Sequence, residues 1–210
     1  PMNGGNFRKT QRVVAYTATE DSREAGLSLG DQINTRLEGI PPDAVILFVS
    51  PRYDAAALVA CVVERCKARI IIGCSSAGEF TSEMHGDGQA CAIAIRSSSL
   101  QFAVGIGRGI SEDRRKAGAD MVRNFRCGQE GSNEYCSALI LTDALAGHAD
   151  ELIEELTLKT GGSHQFFGGG AGDDANFRRT QVFVGNELAS DAAVALEIVS
   201  EKPIGIGVRH

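Results

Sequence analysis

Ala44-Val45-Ile46-Leu47-Phe48-Val49-Ser50, then a run from Asp54 to Cys66, then Arg69-Ile70-Ile71-Ile72-Gly73-Cys74-Ser75-Ser76-Ala77-Gly78-Glu79, is the stretch whose reading decides the fold. Its two ends are short, unbroken apolar runs rich in β-branched residues, the pattern of strands covered on both faces. Between them Leu58, Val59, Val62, Val63 and Cys66 recur at helical spacing and mark one buried stripe. Strand, helix, strand is the alternation of an α/β domain.

Working outward, the same signals recur. Strands are predicted over 12–17, 44–50, 69–73, 89–96, 100–107, 137–142, 164–168, 180–184, 191–200 and 202–209. Helices are predicted over 22–37, with Ala25, Leu29, Ile33 and Leu37 as its stripe, over 54–66, and over 148–159 with Leu152, Ile153 and Leu156 buried. A further helix starts at Ser111 as N-cap and buries Ala117, Met121 and Phe125. Two regions, 86–107 and 178–209, leave no room for a helix, so their strands are expected to pair as antiparallel hairpins. Asp87-Gly88, Ser97 to Ser99, Gly185-Asn186 and Lys202-Pro203 supply turn chemistry. The fold class is therefore α/β, with mixed parallel and antiparallel sheets and flanking helices.

The second half of the chain repeats the first. Val45 to Val49 matches Ala138 to Thr142, and each run precedes a helix that opens on acidic residues. Gly73-Cys74-Ser75-Ser76-Ala77-Gly78-Glu79 matches Gly168-Gly169-Gly170-Ala171-Gly172-Asp173, both ending in Ala-Gly-acid. Ala103 to Gly107 matches Pro203 to Gly207. Several signals in one order point to an internally duplicated unit, with halves at about 11–109 and 110–210.

Composition bounds the function. The chain has 210 residues, 43% of them apolar and 23% charged, which suits a globular domain of one large or two closely packed parts. A net charge of -6 without a dense basic block argues against nucleic acid and anionic membrane surfaces as partners. Arg114-Arg115-Lys116 follows Glu112-Asp113 and reads as a solvated helix face. No run approaches the ~18 apolar residues of a membrane span, and the N-terminus lacks a signal-peptide core, so a cytoplasmic location is expected. Pro1 ahead of Met2 reads as a cloning remnant on a flexible segment over 1–10. The six cysteines, at 61, 66, 74, 91, 127 and 136, form no CxxC pair and are expected to be reduced thiols, with no metal bound.

The candidate site lies in the two glycine loops. Each leaves the C-terminal end of a buried strand, where α/β sheets bind ligands. Small residues there let backbone N–H groups approach a ligand, and Glu79 and Asp173 set a carboxylate beside those donors. Donors next to a carboxylate suit a zwitterion such as an amino acid better than a phosphate. If the halves are related by a pseudo-twofold axis, the loops share one cleft over 74–79 and 168–174. Against this stands the reading that the glycines only permit tight turns and close packing of layers.

Ile72 to Glu79 resembles the GCSTAGE signature of FIST domains, Gly168 to Asp174 resembles their GGSAGDD motif, and Leu141-Thr142-Asp143 is similar to their DG segment after a strand. The resemblance runs from about Arg12 to the end of the chain. Ser76 stands where Thr is commoner, Gly170 where Ser is, and His148 where Asn is usual. The resemblance implies an intracellular sensory module that binds a small molecule and works with a signalling output domain or protein. It places ligand contacts at Cys74, Ser75, Ser76, Gly78, Glu79, Asp143, Gly169, Gly170, Gly172 and Asp173. It implies no catalytic role and, as an alternative, a haem-binding sensor of nitric oxide. It also implies a continuing C-terminal half, so the chain is expected to be one half of a longer module. A homo-oligomer is compatible with all of this.

Rival readings use the same residues. Ser75 in Gly73-Cys74-Ser75-Ser76-Ala77 has the form of a nucleophile elbow, with Asp143 and His148 or His164 in hydrolase order, but the apolar helix that should follow directly is missing. Gly105-Ile106-Gly107-Arg108-Gly109 has the start of a dinucleotide motif, yet its third glycine falls on Ile110, and Gly205-Ile206-Gly207 repeats the element, which favours a structural role. For haem, one imidazole from His85, His148, His164 or His210 would suffice, with His148 and His164 the better placed.

Overall fold

The computed structural model describes residues 10–82, 84–127 and 134–207. Most of the expected N-terminal tail, His210 and the last residues of the strand expected over 202–209 lie outside them.

Strands β1 (Thr10–Thr17), β2 (Ala44–Val49), β3 (Ile70–Ser75) and β6 (Ala90–Ser97) form one sheet with the short pair β10 (Val182–Val184) and β11 (Glu187–Ala189). Its order is β1-β6-β2-β3-β10-β11. A second sheet has the order β7-β12-β8-β9, from β7 (Leu100–Arg108), β8 (Tyr135–Asp143), β9 (His164–Ala171) and β12 (Ala192–Ser200). A small ribbon pairs β4 (Glu79–Phe80) with β5 (His85–Gly86).

Alternation along β2 shows how the layers stack. Val45, Leu47 and Val49 face helices α1 (Ser22–Arg36) and α2 (Ala55–Cys66), packing with Leu29, Ile33, Leu58 and Val62. Ile46 and Phe48 face the second sheet, where they join Leu139, Leu141, Val194 and Leu196. The far side of that sheet packs Ile140, Ala193 and Ala195 against α3 (Arg114–Val122) and α4 (Ala149–Lys159) through Met121, Leu152 and Leu156. The result is four layers, helix, sheet, sheet, helix. That is why the central strands β2, β3, β8 and β12 are apolar on both faces and read as unbroken runs. Among the described residues no helix is long and apolar enough to cross a membrane.

Helices α1, α2 and α3 begin where an aspartate side chain accepts an orphan amide, whereas α4 has no side-chain cap. Asp21 accepts from Arg23 and Glu24 at 2.9 Å each, and Asp54 from Ala57 at 3.2 Å. Asp113 accepts from Lys116 at 2.9 Å, so it caps α3 in place of the expected Ser111. Ser111 is held by the Asp191 carboxylate, through its amide and its hydroxyl at 2.8 Å each.

The mixed α/β architecture agrees with the reading of the sequence. β2 and β3 are parallel, with Ala44 opposite Ile70 and Val49 opposite Ser75, and so are β8 and β9. Read in order, β1-β6-β2-β3 and β7-β12-β8-β9 have the same sequence of antiparallel, antiparallel and parallel pairings. β7, placed by sequence in the first half, is an edge strand of the second sheet.

Three expectations are corrected. β6 and β7 are consecutive but do not pair: β6 joins β1 and β2, whereas β7 joins β12 in the other sheet. β7 instead lies under α3, which its glycines let approach closely: a Cβ at Gly105 would stand 1.9 Å from the Met121 carbonyl oxygen. Only β10 and β11 make the hairpin expected after 178; β12 pairs with β7 and β8, and 203–207 form no strand. Finally, the cysteines are not all reduced thiols. Cys127 and Cys136 are disulfide-bonded, with Cα atoms 6.1 Å apart, while Cys61, Cys66, Cys74 and Cys91 are free and buried.

Candidate functional site

β2, β3 and β9 all end at one rim of the sandwich. From β2 the chain runs through Ser50 to the Asp54 cap of α2. From β3 it turns through Ser76, Ala77 and Gly78 into Glu79, and from β9 through Gly172 into Asp173.

The two glycine loops touch. The Gly172 amide donates to the Ser75 carbonyl at 2.9 Å. A Cβ at Gly172 would lie 2.7 Å from the Ala77 Cβ and 2.8 Å from its amide nitrogen, so only glycine permits this approach. Ser75 also joins the segment leading into β10: its amide donates to the Gln181 carbonyl at 2.8 Å, and its Oγ accepts from the Gln181 amide at 2.9 Å. Ser50 Oγ donates to Asp174 Oδ2 at 3.1 Å, a further tie between the β2 and β9 ends.

The carboxylates expected to meet a ligand are spent on the protein itself. Asp173 accepts from the amides of Phe177, Arg178 and Arg179 at 2.9, 2.7 and 3.0 Å. The Arg178 amide foremost, then the others, hold its pKa below the ordinary value. Asp143 accepts from the Leu145 and Asp191 amides at 3.0 and 2.6 Å and from the Thr180 hydroxyl, tying β8 to the starts of β10 and β12. Glu79 is buried and accepts from the Gln89 amide at 2.8 Å and from the Ser76 hydroxyl. Burial pushes its pKa up.

The expected site residues therefore divide among several places. Ser75 and Asp173 line a polar cleft of about 730 Å³ with Ser50, Tyr53, Asp54, Asn176, Arg178 and Arg179. Ser76, Gly78 and Glu79 line a separate, mainly apolar cavity of about 630 Å³ with Phe48, Phe80, Cys91 and Ile93. Gly169 and Gly170 border a smaller depression against α4. Cys74 sits between the sheets, where burial pushes its thiol up to about 12, and Gly172 is the contact between the loops.

Glycine motifs that end two parallel strands and meet at one rim are the features carrying the family resemblance, and the family model of the FIST N domain matches residues 43–210. The chain belongs to the FIST family. FIST domains are sensory domains of signal-transduction proteins. No curated protein matches the chain.

In this FIST chain Asp173 is the one charged motif residue lining the cleft, and the other charged lining residues lie outside the motifs. Arg178 and Arg179 are exposed and are among the residues that line the cleft. Asp54 and the first turn of α2 also line it, which brings the positive end of a helix to the same space. Two successive arginines shortly after Asp173 were the available signal, but isolated in a segment with no period they point to no face.

Haem, the alternative cofactor, is poorly served by His148 and His164. The His164 side chain is 2% exposed and lies between Phe125 and Phe166, with ring centroids 5.1 and 5.9 Å away. That leaves no room for a macrocycle on the ring. His148 is exposed beside Glu151, and neither histidine lines the cleft or the apolar cavity.

Proposed function

We propose that this FIST chain is an intracellular, non-catalytic sensory module whose polar cleft binds a small zwitterionic molecule of the amino-acid class. The observation that carries the reading is the cleft's mixed lining: Arg178 and Arg179 with the first turn of α2, and the acidic residues Asp54 and Asp173, around one space of about 730 Å³. A ligand carboxylate pairs with a guanidinium in the bidentate geometry that favours arginine, while an ammonium group meets Asp54. The volume lies in the range of small-molecule sites.

The loops come from different sheets, β3 in one and β9 in the other. A ligand held between them favours whichever arrangement of the loops it fits, and this bias is what a signalling partner or a second copy would read. Catalysis is not part of the proposal. Ser75 Oγ accepts a backbone amide, and among the described residues no histidine lines the cleft.

The test is a thermal melt of the chain with each of the twenty free amino acids. Saturating ligand raises Tm by mass action, with about 2.7 kcal/mol of added stability expected at a hundredfold excess over Kd. The double variant Arg178→Ala with Arg179→Ala should melt normally alone and lose the shift. A flat response to all twenty overturns the amino-acid class.

A further inference from the structure

Cys127, Cys136 and His164 come together at the opposite end of the second sheet. Cys136 is near the start of β8, directly opposite His164 in the parallel β8–β9 register, and Cys127 follows α3. Two sulfurs and a ring nitrogen of these residues lie within 4.8 Å of one another. Asp143, at the cleft end of β8, is seven residues beyond Cys136, about 23 Å at ~3.3 Å per residue.

The cluster is organised by a buried carboxylate. Glu197 is fully buried on β12, where its neighbours in sequence and across the sheet are apolar. It accepts from the amides of Arg126 and Cys127 at 2.7 and 3.0 Å, and His164 Nε2 lies 2.8 Å from its Oε1. A charge placed there needs a reason, because burying it costs several kcal/mol unless every lone pair is used. What it does is fix the Cys127 backbone and the His164 ring at once. The other ring nitrogen, Nδ1, is 2.9 Å from the Ser163 hydroxyl, which can donate instead to the Thr160 carbonyl at 2.7 Å. One imidazole nitrogen is thus releasable while the carboxylate steadies the other, the arrangement that supports metal-bound histidines.

We infer that, with the Cys127–Cys136 disulfide reduced, Cys127, Cys136 and His164 form a binding site for a divalent cation of the zinc class. Two thiolates and an imidazole are a soft donor set that selects zinc over magnesium or calcium, and they leave the fourth tetrahedral position to water or an added ligand. Reduction is balanced by a dithiol: its two thiols become a disulfide as their two electrons and two protons pass to Cys127 and Cys136. The cation then displaces the two thiol protons into solvent. A depression of about 200 Å³, lined by Cys136, Ser163, Gln165 and Ile204, reaches the cluster at Cys136. In a thiol-reducing compartment the dithiol form prevails, so metal and disulfide are alternative occupants of the same two sulfurs.

The experiment titrates Co²⁺ into chain reduced with dithiothreitol and then freed of reductant under anaerobic conditions. One equivalent should give the thiolate-to-cobalt charge-transfer band and visible bands of a tetrahedral centre, which Zn²⁺ then bleaches. Unreduced chain should give neither. His164→Gln should weaken Co²⁺ about tenfold or more, and Cys127→Ser should abolish the charge-transfer signal. On the wild-type chain, Zn²⁺ should protect Cys127 and Cys136 together from iodoacetamide, as mapped by peptide mass, which decides the matter if Cys127→Ser fails to fold. Absence of a one-equivalent signal, unchanged affinity in His164→Gln, or equal alkylation of both cysteines with and without Zn²⁺ overturns the inference. None of these readouts involves the cleft, so they stand apart from the amino-acid test.

Discussion

Asp173 shows how one carboxylate can be essential to a site without touching a ligand. Its oxygens gather three successive amides and so shape the loop that carries Arg178 and Arg179 to the cleft. Because those amides favour the charged form, its folded pKa lies below the unfolded one. Its stabilisation is therefore fully present above the ordinary aspartate range and is lost as pH falls through the lowered value. Glu79 has the opposite sign: burial raises its pKa, so folding favours its protonated form and its contribution declines as pH rises through the raised value. Asp173→Asn turns an acceptor into a donor against the Arg178 and Arg179 amides. The variant should melt below wild type at pH 7, and the gap should close on acidification below the aspartate range. A gap of constant size from pH 7 to about pH 3 would mean that the charge contributes nothing.

At the scale of elements, β7 and α3 are joined by small residues where other layers use large ones. A Cβ at Gly105 would lie 1.9 Å from the Met121 carbonyl oxygen and 2.7 Å from its carbon, so α3 or β7 must move. Gly105→Ala should cost about 1–3 kcal/mol, the range of overpacked cores, whereas Gly169→Ala meets no atom within 4 Å and should fall within about 0.5 kcal/mol of wild type. Urea midpoints at constant slope measure both, and equal midpoints would refute the close approach. Gly105 also marks the limit of what was legible in the chain. β2 and β3 could be read because each is an unbroken apolar run, and α2 because it carries a helical period and the Asp54 cap. The destination of β7 could not, because its partner β12 lies some ninety residues on and adjacency to β6 says nothing about which sheet receives it. The glycine loops were legible as loops that meet. The tasks of Asp143, Glu79 and Asp173 were not, since their donors are mostly backbone amides placed only once the surrounding turns exist. The Cys127–Cys136 bond was hidden likewise: nothing in their spacing announces that the end of α3 returns to the first residues of β8.

For the whole molecule, the decisive layer is the one between the sheets. β12 is buried along its entire length and pairs with both β7 and β8, while Leu196 at its middle reaches into the core shared with β2 and β3. If sensing depends on loops from two sheets acting together, that core must make the sheets one cooperative unit. Leu196→Ala leaves a void between them and should cost about 2–5 kcal/mol. The loss should be felt on both sides: amide hydrogen exchange of β2 and β3 should accelerate as much as that of β8 and β12, because global opening sets the protection of core strands. Exchange that speeds up in the second sheet alone would show two separately opening halves, and a ligand bridging the loops would then join two bodies instead of tilting one.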